Sequence, residues 1–187
     1  MESVEITSKL ISCQSITPID DGAIKFLKKI LDKTGFKCYV LEFGHNHKKV
    51  INLYASFKGG VGPNICFAGH TDVVPPGDLK QWKSKPFIPT IKKGVLYGRG
   101  TSDMKGAIGA FLDAAIKYIK QQKKNFKGSI SFLITGDEEG EAKNGTKKVV
   151  DWLIKKGEKI DYCLVGEPTN PNQLGEMIKI GRRGSLN

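Results

Sequence analysis

The sequence predicts an α/β fold: a mixed, mainly parallel central sheet with helices on both of its faces. Three observations predict it. Strand-like apolar runs alternate with amphipathic helical stretches, which is the pattern of a layered sheet. The stretch Ser102 to Gln121 carries Met104, Ile108, Phe111, Leu112, Ala115 and Ile119 on one stripe at helical spacing. The run Ser129 to Thr135 reads as a buried strand directly after it.

The other elements follow from the same rules. Ser3 to Ser12 has helical spacing, with Ile6 paired to Leu10 and Val4 to Ile11. A second helix starts near Asp20 and Asp21, acids suited to the positive end of the helix dipole, and runs through Ile24, Phe26, Leu27, Ile30 and Leu31 to Gly35. Strands are expected at Lys37 to Phe43, Val50 to Phe57 and Ile65 to Ala68, with the turn Gly59-Gly60-Val61-Gly62 separating the last two. Ile88 to Ile91 and Val95 to Tyr97 flank Lys92-Lys93-Gly94 as a small hairpin. A helix at Thr146 to Lys155 and strands at Tyr162 to Val165 and Glu176 to Ile180 complete the series. One domain is expected over residues 1–178. Residues 179–187 open a further segment, and the chain stops at Gly184-Ser185-Leu186-Asn187 as though cut short.

Composition narrows the functional classes. A chain of 187 residues with 39% hydrophobic and 26% charged residues suits a folded globular domain rather than a disordered tail. No apolar run of about 18 residues is present, so no membrane span is expected. The start Met1-Glu2-Ser3-Val4-Glu5 is acidic where a secretory signal would be basic. Cys13, Cys38, Cys66 and Cys163 lie far apart without a Cys-x-x-Cys pair, and Cys66 and Cys163 fall in apolar runs where a thiol packs as a small hydrophobe. A reducing cytoplasm is the matching compartment. The net charge of +11 comes mainly from dispersed lysines, not from an arginine-rich block interleaved with aromatics, so no nucleic-acid partner is expected.

Four short segments place acids or a histidine just past an apolar strand or hairpin, the rim where α/β sheets bind ligands. Phe67-Ala68-Gly69-His70-Thr71-Asp72 offers an imidazole with a carboxylate two residues on, a metal ligand with its supporting acid. Gly98-Arg99-Gly100-Thr101-Ser102-Asp103-Met104-Lys105-Gly106 turns tightly and puts Asp103 at the start of the long helix. Ile134-Thr135-Gly136-Asp137-Glu138-Glu139-Gly140-Glu141 crowds carboxylates that repel one another unless a cation or proton intervenes. Val165-Gly166-Glu167-Pro168-Thr169 adds a strand-end acid. Each segment alone is also explained as a surface histidine, a helix N-terminal acid or a solvated loop. Together they offer one imidazole and several carboxylates, a donor set for zinc, cobalt or manganese.

In order and spacing, Gly69-His70-Thr71-Asp72-Val73-Val74-Pro75, Gly98-Arg99-Gly100 through Asp103-Met104-Lys105-Gly106, Asp137-Glu138-Glu139-Gly140 and Gly166-Glu167-Pro168-Thr169 resemble the M20 metallopeptidase family over almost the whole chain. The resemblance implies a zinc-peptidase-like catalytic domain without its lid domain, and two zinc ions per full-length subunit, with cobalt able to substitute. It implies that His70 and Glu167 bind the first zinc, that Asp103 bridges to the second, and that Glu139 binds the second. Asp72 would orient His70, and Glu138 would act as general acid/base. The loop Pro75-Pro76-Gly77-Asp78 with Gln81-Trp82, and Gly181-Arg182-Arg183-Gly184-Ser185-Leu186, resemble a branch that cleaves succinylated diamino acids. Deacetylating branches share the metal motifs and usually differ in these two places. Arg182, with Arg183 beside it, would contact the substrate carboxylate. The family's last zinc-binding histidine and its dimer-forming lid have no counterpart here. His45 and His47 precede the first motif and match nothing in the family site.

Overall fold

The computed structural model describes residues 2–46, 49–122 and 125–180. The element order is α1 (Ser3–Ser12), α2 (Ala23–Thr34), β1 (Lys37–Phe43), β2 (Val50–Lys58), β3 (Asn64–His70), β4 (Thr90–Lys92), β5 (Val95–Tyr97), α3 (Gly106–Gln121), β6 (Ser129–Thr135), α4 (Thr146–Lys155) and β7 (Tyr162–Val165). Five strands form one mixed sheet in the order β1-β2-β6-β3-β7, and β4 and β5 form the separate hairpin. β1 with β2 and β2 with β6 pair antiparallel, whereas β6 with β3 and β3 with β7 pair parallel.

Alternation along the strands sorts side chains onto two layers. Leu53, Ala55, Phe57, Phe67, Ile130, Phe132 and Ile134 point to the face covered by α1, α2 and α3. Tyr54, Cys66 and Leu133 point the other way, against Val149 and Leu153 of α4. Helices therefore cover both faces, as expected. The larger core is aromatic: Phe67 stacks on Phe111 at a centroid distance of 4.7 Å, and Phe132 meets Phe36 and Phe111 edge-on. On the other face Trp152 packs against Tyr39 at 5.0 Å.

The helix ends have local causes. The Asp20 carboxylate accepts from the backbone N–H groups of Gly22 and Ile24, which satisfies donors that open α2. Gly35, at φ 97°, closes the helix in the left-handed region. The long helix begins later than its apolar stripe suggests. Thr101–Lys105 forms a wide π-type turn in which Asp103 (φ −123°, ψ 99°) is extended, and α3 starts only at Gly106. Met104 still packs into the core from this turn, so its place on the stripe reflects burial rather than helix.

The expected strand at Glu176 to Ile180 does not form. A strand needs a neighbour to take its backbone bonds, and here the Met177 N–H donates instead to the Asn170 side chain, while Ile178 and Ile180 stand 82% and 93% exposed. β7 is thus the sheet edge among the described residues, with all four of its residues exposed. Residues 181–187, where a lid segment was expected to open, lie outside the described residues.

α1 and α3 cross at Gly109, where a Cβ would lie 2.2 Å from Thr7 Oγ1 and 2.9 Å from the Ser3 carbonyl oxygen. Gly109→Ala should destabilise the protein by about 1–3 kcal/mol through overpacking, although alanine favours helix by about 1 kcal/mol at an open site. Urea unfolding of the two forms measures the difference, and a stabilised variant would contradict the close crossing.

Candidate metal centre

Parallel pairing brings the C-terminal ends of β6, β3 and β7 to one rim. His70 is the last residue of β3 and lies in register with Thr135, the last of β6. The Thr71 N–H donates to the Thr135 carbonyl at 2.9 Å, and the Gly166 N–H to the Ala68 carbonyl at 3.3 Å, so the pairing continues to the turns that carry the acids. Asp137, Glu138 and Glu139 leave β6, and Glu167 leaves β7 two residues past its end.

The imidazole of His70 is buried, and its two nitrogens face different groups. Nδ1 lies 2.9 Å from the backbone carbonyl oxygen of Asp72, and Nε2 lies 3.0 Å from Asp103 Oδ1, 3.4 Å from Glu167 Oε1 and 3.9 Å from Glu138 Oε2. Ligand atoms of His70, Glu138 and Glu167 fall within 4.8 Å of one another, and so do those of His70, Asp103 and Glu139. The four acids predicted as zinc-binding or acid/base residues, Asp103, Glu138, Glu139 and Glu167, therefore converge on His70.

Asp72 does more than the sequence suggests. Its carboxylate stands 3.6 Å from His70 Nδ1, so the orienting contact with the ring runs through its backbone carbonyl. The carboxylate itself accepts from the backbone N–H of Glu138 at 3.2 Å and of Glu139 at 3.0 Å. It holds the acidic turn in place against the histidine. Asp137 closes the same turn from the far side, accepting from Ala142 N–H at 3.2 Å and Asn144 N–H at 2.9 Å.

The turn bearing Asp103 is anchored by a residue that sequence reasoning left without a role. Lys105 is fully buried, and its ammonium donates to the Cys13 carbonyl oxygen at 3.0 Å. Burial brings it down to about 8. The only sequence sign is a lysine between a buried methionine and a helix start, which does not distinguish an anchor from a surface charge. In the loop after the histidine, Arg99 stacks on Trp82 at 5.1 Å and donates to the Pro75 carbonyl, and Trp82 Nε1 donates to Pro76. His45 is exposed, and His47, Arg182 and Arg183 lie outside the described residues.

The electrostatics suit a cation. Burial pushes the Glu167 carboxyl up to about 7, with the neighbouring Asp103 and Glu138 carboxylates adding to the rise against the pull of His70. Burial and the same crowding, from Asp103 first, raise Glu139. Burial also raises Asp72, against the N–H groups it accepts. For His70, burial alone favours the neutral ring, yet the Asp72 carbonyl and the carboxylates of Asp72, Glu167 and Glu138 outweigh it and raise the group. Among the described residues, the ion pairs made by Asp103, Glu138 and Glu167 all go to this one imidazole. Oxygen donors in excess of nearby positive charge, with one neutral-capable nitrogen, fit a divalent metal of the zinc type.

A rim of this make-up on a mixed sheet covered by helices defines a carboxylate-rich α/β metalloprotein. A sequence model of peptidase family M20/M25/M40 matches residues 66–181. Succinyl-diaminopimelate desuccinylase of Pelagibacter ubique is 62% identical over 185 residues, covering 98% of this chain and 48% of that protein. Human carnosine dipeptidase 1 superposes with a TM-score of 0.71 at 20% identity, over 87% of this chain and 37% of that one. The M20 family metallo-carboxypeptidase Sso-CP2 of Sulfolobus solfataricus gives 0.69 at 25% identity, over 89% and 37%. The chain belongs to peptidase family M20/M25/M40 and spans about half the length of the curated relatives it matches.

Two outcomes test the centre. Asp72→Ala leaves the Glu138 and Glu139 N–H groups without their acceptor and should lower zinc affinity about 10–100-fold, with Asp72→Asn losing less because it keeps one oxygen. Competition against a chelating dye measures both. Because the Glu167 carboxyl is raised, it holds a proton below about pH 7 that metal must displace. His70 is raised as well, so apparent zinc affinity should climb as pH rises through the range in which both groups lose their protons, as read by the same competition across the range. A flat profile would contradict a ligand set that contains His70 and Glu167, and Glu167→Gln should lessen the slope.

Proposed function

We propose that this chain forms the metal-binding part of a cytoplasmic zinc-dependent amide hydrolase that cleaves N-succinyl-LL-2,6-diaminopimelate to succinate and LL-2,6-diaminopimelate, a step of lysine biosynthesis. The observation that carries the reading is the convergence of His70 with Asp103, Glu138, Glu139 and Glu167 at one rim. The 62% identity to a relative named for the desuccinylase reaction supports the choice of substrate. The reacting partner is then a small molecule, and a homodimer built through a lid domain is the assembly that accompanies this reading.

In this reading His70 and Glu167 would hold one zinc and Glu139 a second, with Asp103 available to both. Zinc bound there supplies Lewis acidity at the amide carbonyl and makes water a better nucleophile near neutral pH, and cobalt can replace it. The chain's own groups do the rest. Glu138, with its side chain 51% exposed at the open side of the cluster, takes a proton from the attacking water and returns it to the departing amine. Asp72 keeps Glu138 at that position by holding its backbone N–H. Arg182 and Arg183 are assigned to the substrate carboxylate.

A second reading has a specific basis, since Glu138 groups with His70 and Glu167 as a possible ligand. Glu138→Gln separates the two. As the acid/base, its loss should leave zinc content unchanged and reduce turnover by about 10²–10⁴-fold. As a ligand, its loss should lower zinc content as well. The assay supplies the zinc-loaded chain with the C-terminal half of a close relative and follows succinate release, with an N-acetylated diamino acid as the competing substrate. Faster release of acetate than of succinate would transfer the chain to a deacetylating branch. Zinc uptake with no hydrolysis of either substrate would leave it a metal-binding module. For the chain alone, about one tightly held zinc, lost in His70→Ala, is the expected metal content.

A further inference from the structure

Cys66 and Cys163 are 97 residues apart in sequence and directly opposite in space: they are register partners in the parallel β3–β7 pair. Opposed residues on neighbouring strands share a face, with backbones about 4.8 Å apart, inside the Cα separation of about 4.4–6.8 Å that a disulfide spans. We propose that Cys66 and Cys163 constitute a reversible disulfide-forming site that reacts with small disulfide oxidants of the glutathione type.

The pair is built asymmetrically. Cys163 is exposed on the edge strand, whereas Cys66 is fully buried beneath α4. The neighbouring Cys66 thiol lowers Cys163 to about 7, against the opposing effect of burial, and the presence of Cys163 followed by burial raises Cys66. Being the exposed one of the two, Cys163 is the nucleophile, and buried Cys66 is the resolving thiol. The Cys163 thiolate attacks one sulfur of the oxidant, its S–S bond breaks, and one thiolate leaves. Cys66 then loses its proton and attacks the mixed disulfide at the Cys163 sulfur, expelling the second thiolate. In total, two protein thiols are oxidised to one disulfide, and the oxidant is reduced to two thiols. Cys13 and Cys38 do not compete, because burial raises both, Cys38 to about 12.

The location gives the bond a structural effect. His70 and Glu167 each lie four residues beyond one of these cysteines, so the cross-link ties together the two strands that present them.

The test treats the chain with oxidised glutathione, quenches with acid and maps the peptides by mass spectrometry. The expected result is loss of two of the four free thiols, a mass lower by two hydrogens, and one linked peptide pair holding Cys66 and Cys163 that dithiothreitol separates. Cys66→Ser should stop at a glutathione adduct on Cys163. The proposal is overturned if the unmodified sequence also stops at that adduct, if both cysteines stay reduced, or if the disulfide involves Cys13 or Cys38.

Discussion

The parallel alignment of β6, β3 and β7 is the constraint on which the site depends. In antiparallel neighbours, consecutive strand ends fall on opposite rims of the sheet. Here three strands finish on the same side, and each continues at once into a segment bearing a ligand-type side chain. The antiparallel half, β1 with β2, contributes to the core and supplies none of the ligand-type side chains, though Asn52 of β2 donates to the Asn144 carbonyl beyond the acidic turn. Asp103 comes from a different direction, out of the turn before α3, and completes the ring of acids from above the sheet edge. Geometry of this kind demands that α3 pack firmly, and its stripe of Ile108, Leu112, Ala115 and Ile119 against the phenylalanine cluster meets that demand.

Gathering that much negative charge costs stability, and the structure shows how the cost is distributed. Asp72 is buried yet receives N–H donors from the turn it steadies, so one desolvated carboxylate organises two others. Lys105 provides a buried positive charge near the site without pairing to the ligand carboxylates, because its ammonium is committed to the Cys13 carbonyl. The remaining repulsion is left among Asp103, Glu138, Glu139 and Glu167, where a divalent cation relieves it. Although the net charge is +11, the ion pairs of Asp103, Glu138 and Glu167 among the described residues go to His70 and none to a lysine.

Most of the fold was legible because periodicity reports burial, and burial follows the layers. The bounds of α1, β1, β6, α4 and β7 follow directly from their apolar patterns. The start of α3 did not, because Met104 is buried in an extended turn and mimics one more helical position. Glu176 to Ile180 has strand composition but no partner, and composition cannot supply one. At the site, residue types near strand and hairpin ends marked four segments and the family resemblance singled out His70, Asp103, Glu138, Glu139 and Glu167 within them, whereas the carbonyl contact to the ring, the Lys105 anchor and the apposition of Cys66 with Cys163 depend on register and three-dimensional crossing. No local pattern encodes those.

The two strands that carry His70 and Glu167 differ in how firmly they are held. β3 is hydrogen-bonded on both sides, by β6 and β7, and its amides belong to the most protected part of the sheet. β7 is bonded on one side only among the described residues, and its side chains lie open to solvent. Transient opening of a sheet begins at such an edge, long before the interior exchanges its amide hydrogens. Among the described residues, His70 is therefore held from both sides and Glu167 from one, so a fluctuation that opens this sheet reaches the carboxylate's strand before the histidine's.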